Sequence, residues 1–475
     1  MPPKLRALVA ALIVAACALA GALYIGYASG IHAAAHTADL GNNSVASIDL
    51  RSLLEPQNGN ERLVDIAFRQ VENSYYKPVN AQTLLTGEHT GLLAYLSHDR
   101  KIKSPTLPKL SATGDQTQDE QRLDAQVAYA QTQYGGAIGS DAHVELVQAA
   151  LTGMLSSLGD PYTVYLSPKE ISGLNESLSG GNFGGIGVYL YELKDKSVLL
   201  QPIDGLPASV AGVKTGDILV RIDGKPTKGL SLDRVAQLIR GEQGTTVHVQ
   251  THPLRAKTLH IFAIVRQIIH VPTVKAKMED GFDYIRLSDF GETSAAEIKK
   301  ALLSGRAKNA KGYILDLRDN GGGLVDAAVK ISSFFIPQGV IVSTISRDGS
   351  KDEQEANGEH IPGLSPLVIL VNKYTASASE ITSGAIQDYK LGTLLGTKTF
   401  GKGVVQNIYP MPDNSALKIT TARYVTPLGR DIQHKGIEPD IVVPQNAEDP
   451  GLIDTPKDKQ LAAAKAHLRA QLAGH

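Results

Sequence analysis

The chain has 475 residues, 42% of them hydrophobic, enough for two or three domains that each bury a core of their own. Lys and Arg number 47 against 48 Asp and Glu, so no net positive field exists to gather nucleic acid or to hold an anionic membrane surface. The single cysteine, Cys17, excludes an internal disulfide and a Cys-ligated zinc site, and without a His-Glu-x-x-His pattern neither a metal nor another cofactor is expected.

After Lys4 and Arg6, residues Ala7 to Ile31 carry no charge. As a helix this run extends about 37 Å against a hydrocarbon core of about 30 Å. The preceding cations should stay cytoplasmic, so the bulk of the chain is expected outside the cytoplasm, tethered by residues 1–36. A cleaved signal peptide at "ACALAGA" is the rival reading, and lipid attachment at Cys17 is a third. A polar linker leads to "NERLVDIAFRQVENSYY", where Val64, Ala67, Phe68 and Val71 line one helix face. Residues 101–120 are rich in Pro, Thr, Ser and Gln without a period and read as a loop or mobile insertion. "HVELVQAALTGMLSSLGDP" restores a helical pattern and loosely resembles "LLTGEHTGLLAYL", too little for a repeat.

From about Asn182 the chain turns to Gly-punctuated strands, "GGIGVYL", "SVLLQPI", "GDILVRIDG" and "TTVHVQTH". One helix interrupts them: Ser231 suits its N-cap, Leu232, Val235, Leu238 and Ile239 its buried side, and Gly241 a left-handed stop. "GGNFGGIG" invites a phosphate reading, but it opens a strand, and "FGKGVV" lacks the full phosphate-loop pattern, so no nucleotide is expected. Strands then alternate with helices through "GYILDLR", "PLVILV" and "GTLLGTKTF", the pattern of an α/β core with function at its strand ends. "KDKQLAAAKAHLRAQL" predicts a terminal helix.

Three segments of this core carry residues able to do chemistry. Ser377 opens a helix after the buried strand ending at Val371, and with Glu380 it fits a capping box; such a serine is usually only a cap. The same position sets its hydroxyl at a helix N-terminus, where backbone amides stabilise negative charge. Lys402 lies between Gly401 and Gly403, an unusual place for a surface lysine, because the missing side chains let other backbone close in and shut out water. Burial is what lowers a lysine from about 10.4 toward a working base; the plain alternative is a solvated loop residue. If "KGVVQ" is extended, Gln406 shares a face with Lys402 and can steer its amine. In "DLRDNGGG" the glycines leave backbone amides unobstructed, as an oxyanion hole requires, or simply make a tight turn. Asp316, Arg318 and Asp319 read as ion-paired or turn-forming, and Asp388, near a helix C-terminus, calls for a cationic or hydrogen-bonding partner.

Taken together, "VNKYTASASEITSGAIQDY", "TKTFGKGVVQ", "DLRDNGGG" and "LKITTARYVTPLGRDIQHKGIEPD" resemble the carboxy-terminal processing peptidases, or tail-specific proteases. The resemblance implies a multidomain α+β chain: a helical N-terminal region at 37–177 with an insertion at about 85–140, a β-rich PDZ-like domain at 178–268, an α/β peptidase core of the crotonase/Clp type at 269–445 and a helical tail at 446–475. By it, Ser377 corresponds to the nucleophile, Lys402 to the general base and Gln406 to its orienting partner, with the amides of Gly322 and Ala378 as the oxyanion hole. Gly185, Ile186, Gly187 and Val188 would offer amides and a strand edge to a substrate C-terminus. Gly321 stands where the family often has proline, which adds backbone freedom and implies a less preformed hole. The implied protein is an exported serine endopeptidase of the bacterial periplasm that acts on proteins or peptides with apolar C-termini; the alternative is a non-catalytic PDZ adaptor that recruits a protease. The insertion is a candidate for controlling substrate access or for mediating homo-oligomer or adaptor assembly.

Overall fold

The structure, a computed structural model, describes residues 63–178, 183–193, 195–254, 256, 258–444 and 453–474. The apolar run Ala7–Ile31, Cys17 and the linker lie outside these residues; among the described ones no helix is long and apolar enough to cross a membrane. The chain forms two compact units, one of residues up to 174 with 274–290 and 294 onward, the other of residues 175–273 with 291–293.

The first unit opens with helices α1 (Leu63–Ser74), α2 (Ala81–Ala94), α3 (Gln116–Ile138) and α4 (Ala142–Ser156), then strand β1 (Val164–Leu166) and helix α5 (Pro168–Leu178). The expected apolar face of α1 is buried. The two loosely similar apolar segments are α2 and α4, packed against each other at glycines: a Cβ on Gly153 would stand 2.4 Å from the Gly87 carbonyl oxygen. Helix α3 departs from the sequence reading, since it starts inside the stretch taken as loop. Its apolar stripe, Leu123, Val127, Ala130, Tyr134 and Ile138, is spread thinly among glutamines, and Asp115 caps it by accepting from the Gln118 amide at 2.9 Å. The loop before it is pinned rather than loose, with the Tyr134 hydroxyl bonded to both the amide and the carbonyl of Thr106.

Glu88 on α2 is fully buried, and neither carboxyl oxygen has a hydrogen-bond partner among the described residues. Burial, reinforced by Asp124 and Asp65, holds its carboxyl well above the usual range. The folded chain therefore binds this proton more tightly than the unfolded chain, and the group weighs against folding as pH rises above its unfolded value. Glu88→Gln is expected to raise the melting temperature at pH 8 by about 3 °C or more and to leave it nearly unchanged at pH 4, a difference that thermal melts at both pH values will read.

The second unit contains β2 (Phe183–Gly185), β3 (Val188–Glu192), β4 (Val198–Pro202), the turn helix α6 (Pro207–Val210), β5 (Asp217–Ile222), β6 (Lys225–Pro226), α7 (Leu232–Ile239), β7 (Thr246–Pro253), β8 (His260–Val265) and β9 (Gln267–Ile269). Its main sheet runs β3-β4-β5-β7-β8, so β3 is an edge, and β2 pairs separately with β9. Ser231 caps α7 by accepting from the Arg234 amide at 3.2 Å, and Val235 and Ile239 face the core. Gly241 is not the left-handed stop expected: Arg240 ends the helix in extended conformation. Gly241 serves close approach instead, since a Cβ there would meet the Arg266 guanidinium at 2.8 Å.

The rest of the first unit is β10 (Val274–Glu279), β11 (Phe282–Leu287), α8 (Ser294–Ala307), β12 (Tyr313–Asp316), α9 (Val325–Ser333), β13 (Val340–Ser346), β14 (Lys351–Glu355), β15 (Leu367–Val371), α10 (Ala378–Asp388), β16 (Thr393–Gly396), β17 (Val404–Pro410), β18 (Ala416–Val425), β19 (Ile441–Val442) and α11 (Lys459–Ala473). One sheet runs β10-β11-β12-β15-β16-β19, parallel from β11 onward. Helices α8, α9 and α10 cover one face through Ile298, Leu302, Ile331 and Ile381, and the terminal helix α11 covers the other through Leu461, Ala464 and Leu468. A second sheet joins β1, β13, β14 and β17 through the ten-residue β18. Burial along β18 divides by position: Leu417 and Ile419 pack with the N-terminal helices and, past an extra residue at Thr421 in its ladder with β17, Ala422 and Tyr424 pack with the α/β core.

Candidate active site

Three parallel neighbours, β12, β15 and β16, end side by side, and the loops at their carboxyl ends carry Asp319–Gly323, Asn372–Ser377 and Thr397–Gly403. The first two loops are tied together by hydroxyls and amides. Thr375 Oγ1 donates to the Leu317 carbonyl at 2.8 Å and accepts from the Asn372 amide at 2.9 Å, and Ser379 Oγ donates to the Asn320 carbonyl at 3.1 Å. Asn372 Nδ2 donates to Asp319 Oδ1 at 2.8 Å. Of the three hydroxyl residues in "TASAS", Thr375 and Ser379 are thus consumed by scaffold.

Ser377 is buried with φ 56° and ψ −120°, a left-handed backbone that a serine adopts only when its surroundings enforce it. Ser377 and Glu380 make the expected capping box: the Glu380 carboxylate reaches back to the Ser377 amide at 2.9 Å, and the Glu380 amide, which faces the Ser377 side chain, also bonds the Ser377 main-chain carbonyl at 2.7 Å. The same carboxylate also accepts from the Gly401 amide at 2.8 Å, the Lys402 amide at 2.9 Å and the Thr399 hydroxyl. Glu380 therefore fixes the serine backbone and the lysine backbone to one anchor. Burial pushes its carboxyl up to about 7 even though those bonds favour the ionised form. Tyr424 adds a second tie, its hydroxyl donating to the carbonyls of Ser377 and Lys402.

Lys402 is fully buried. The glycines beside it admit backbone: a Cβ on Gly401 would meet the Gly436 nitrogen at 2.7 Å and one on Gly403 the Gln433 nitrogen at 2.8 Å. The Lys402 ammonium position lies 4.9 Å from the centre of the Tyr162 ring. Burial, and then the charge of Lys418, holds the amine well below the usual lysine range against the opposing pull of Glu380 and Asp160. Gln406 is buried opposite Thr420, and its Nε2 has no hydrogen-bond partner among the described residues. Lys402 lies two residues before β17, and the register shift opposite Val405 and Gln406 places its extra residue, Thr421, on β18.

The expected oxyanion donor Gly322 needs correction. Its amide already donates to Asn320 Oδ1 at 2.9 Å, an Asx-type brace, and its open Cα side presses on Ser377: a Cβ there would meet Ser377 Cβ at 2.7 Å and the Ala378 nitrogen at 2.8 Å. The amides of Gly323 and Ala378, both buried, have no protein partner among the described residues. Buried N–H groups are rarely left unmatched, and two beside one serine suit an incoming oxygen. Asp388 has the partner anticipated, an ion pair with Arg430 plus the Leu428 amide at 2.9 Å. Arg318 is buried between Asp316 and Asp458, which ties the end of β12 to the N-cap of α11. In the second unit, the Ile186 and Gly187 amides have no protein partner among the described residues, Gly185 pairs within the β2–β9 ladder, and Val188 starts the edge strand β3.

Residues that the sequence reading passed over are Asn320, Glu380 in its second role, Tyr424, and the Asp160–Tyr162–Lys418 group. The available signal was Lys418 itself, a lysine inside the apolar strand "ALKITTARYV".

Residues 282–443 match the family model described as peptidase family S41, and residues 199–251 match that of a PDZ domain. A carboxyl-terminal-processing protease from a Synechocystis species is 37% identical over 326 residues, covering 67% of this chain and 76% of that one. A carboxy-terminal-processing protease from Bartonella bacilliformis is 38% identical over 306 residues, covering 63% and 70%. The carboxy-terminal processing protease CtpA of Bacillus subtilis is 37% identical over 299 residues, covering 62% and 64%.

Proposed function

The chain belongs to peptidase family S41 with the carboxyl-terminal-processing proteases, and on that premise we propose that it cleaves protein substrates with Ser377 as nucleophile and Lys402 as general base. The observation that supports this reading best is the fully buried Lys402, anchored with Ser377 on the single carboxylate of Glu380. An amine that is neutral at working pH can take the Ser377 hydroxyl proton as Oγ attacks the scissile carbonyl. The amides of Ala378 and Gly323 receive the oxyanion. Collapse breaks the C–N bond, Lys402 returns the proton to the departing amine, and an acyl-enzyme remains on Ser377. Water then attacks that ester, its proton passes to Lys402, and the acid product leaves as Oγ is reprotonated.

Recognition is assigned to the PDZ domain, whose Ile186 and Gly187 amides and β3 edge suit the carboxylate and backbone of a substrate's C-terminal tail. The apolar run Ala7–Ile31 behind Lys4 and Arg6 supports export, with the enzyme tethered on the extracytoplasmic face of the bacterial inner membrane. Ser377→Ala is expected to abolish cleavage of an unstructured protein with an apolar C-terminus while leaving the melting temperature and tail binding intact. Turnover retained in that variant overturns the assignment; binding without turnover in the parent protein makes it an adaptor.

A further inference from the structure

Lys402 is not the only lysine in this pocket. Lys418, on β18, is 2% exposed and pairs in the ladders with Val164 of β1 and Ile408 of β17. The chain entering β1 meets both lysines: the Tyr162 ring lies under Lys402, and two residues on, Val164, the first residue of β1, is the register partner of Lys418. That segment is held to β18 by the Thr420 amide, which donates to Thr163 Oγ1 at 3.0 Å. Lys418 stands two residues before Thr420, the partner of Gln406, and farther along β18, past the extra residue Thr421, the Tyr424 hydroxyl closes on the Ser377 and Lys402 carbonyls.

The charged and titratable groups around the two amines are few. They are, among the described residues, Glu380 from α10, Asp160 from the loop before β1, and the phenols of Tyr162 and Tyr424, which burial keeps protonated. Glu380 already accepts from the amides of Ser377, Gly401 and Lys402 and the Thr399 hydroxyl, so its lone pairs are spent. Asp160, which accepts from the Tyr162 amide at 3.0 Å and Thr163 Oγ1 at 2.7 Å, is the acid that acts on both lysines. Two buried ammonium groups with one available carboxylate acting on both is an arrangement that low-dielectric surroundings do not sustain.

We propose that Lys418 is a positioning residue for the base: it takes the single positive charge this pocket accommodates, beside Asp160, and thereby keeps Lys402 neutral and able to deprotonate Ser377. The proposal rests on the Ser377–Lys402 reading and adds a second lysine to it. Burial brings the Lys418 amine down to about 7 while Asp160 supports its charged form, and the charge of Lys418 follows burial among the causes that lower Lys402, consistent with one proton shared between the two.

The test is the pH profile of kcat/KM for peptide cleavage by the full-length protein and its Lys418→Met, Lys418→Arg and Lys402→Met variants. With Lys418→Met, Lys402 becomes the sole cation for Asp160, so the acid limb moves up by at least about one pH unit and activity at pH 7 falls about tenfold, recovering toward the parental value by pH 9. Lys418→Arg retains the charge, and its limb stays in place. A Lys418→Met profile with an unmoved limb, whether uniformly lowered or unchanged, overturns this inference while the dyad stands; turnover surviving in Lys402→Met overturns the dyad itself. Should Lys418→Met not fold, lysine Nζ titration by NMR in the folded Ser377→Ala protein decides the matter. One buried amine must stay charged over a range in which the Lys402 amine is neutral; both charged together, or the charge on Lys402, overturns the proposal.

Discussion

Lys402→Arg is expected to lower kcat/KM by at least about 10³-fold across pH 6–9 without unfolding the protein, since a guanidinium cannot shed its proton to act as base. The position also admits no bulk. Backbone at Gly436 and Gln433 closes within 3 Å of where Cβ atoms would stand on the flanking glycines, so the planar arginine head must displace neighbours. Lys402→Met removes the base while keeping the length, and it is expected to bind tails normally and turn over as poorly as Ser377→Ala. Steady-state kinetics of both variants beside the parent, with a melt to confirm folding, reads the effect. Parental kcat in either one contradicts a lysine base.

Glu380→Ala is expected to cost both stability and activity. The carboxylate accepts from three buried amides, those of Ser377, Gly401 and Lys402, and from the Thr399 hydroxyl. Removing it leaves those donors unmatched in a dry site, at about 1–3 kcal/mol for each that water cannot reach. The loop 399–402 is then no longer anchored to the same point as Ser377, and kcat is expected to fall at least about 100-fold, because a misplacement of about 1 Å at the reacting atoms is enough for that. Denaturant titration and steady-state kinetics check the two parts separately. A Glu380→Ala protein with parental kcat would show that the shared anchor has no part in placing the lysine.

Much of this arrangement is local and was legible along the chain. The apolar strand ending at Val371, the serine at the helix start and the glycines around Lys402 are all short-range signals, and α1, α7 and α11 follow from their spacing. What the sequence could not carry depends on partners far away in it. That Glu380 serves more than its cap follows from residues 399–402 being drawn to the same carboxylate. Which glycine amide is available in "DLRDNGGG" depends on Asn320 claiming that of Gly322, a turn geometry that three consecutive glycines do not announce. The burial of Lys402 needs residues 433–436 to close over it, and that of Lys418 needs β1 and β17 to flank β18. Helix α3 went unread because its stripe from Leu123 to Ile138 is diluted by glutamines and small residues, and its first turn lies in a segment rich in Pro, Thr and Ser.

The most direct measurement is the rate of covalent labelling of Ser377 by a fluorophosphonate, followed by intact-mass and peptide-mass analysis as a function of pH. A nucleophile activated by a lysine that has lost its charge should give one adduct, on Ser377, with a labelling rate that is already at its plateau near pH 8–9 and is absent in Lys402→Met. Labelling elsewhere, or on Ser377 with a rate that climbs only above about pH 10, where an ordinary lysine loses its proton, would contradict it.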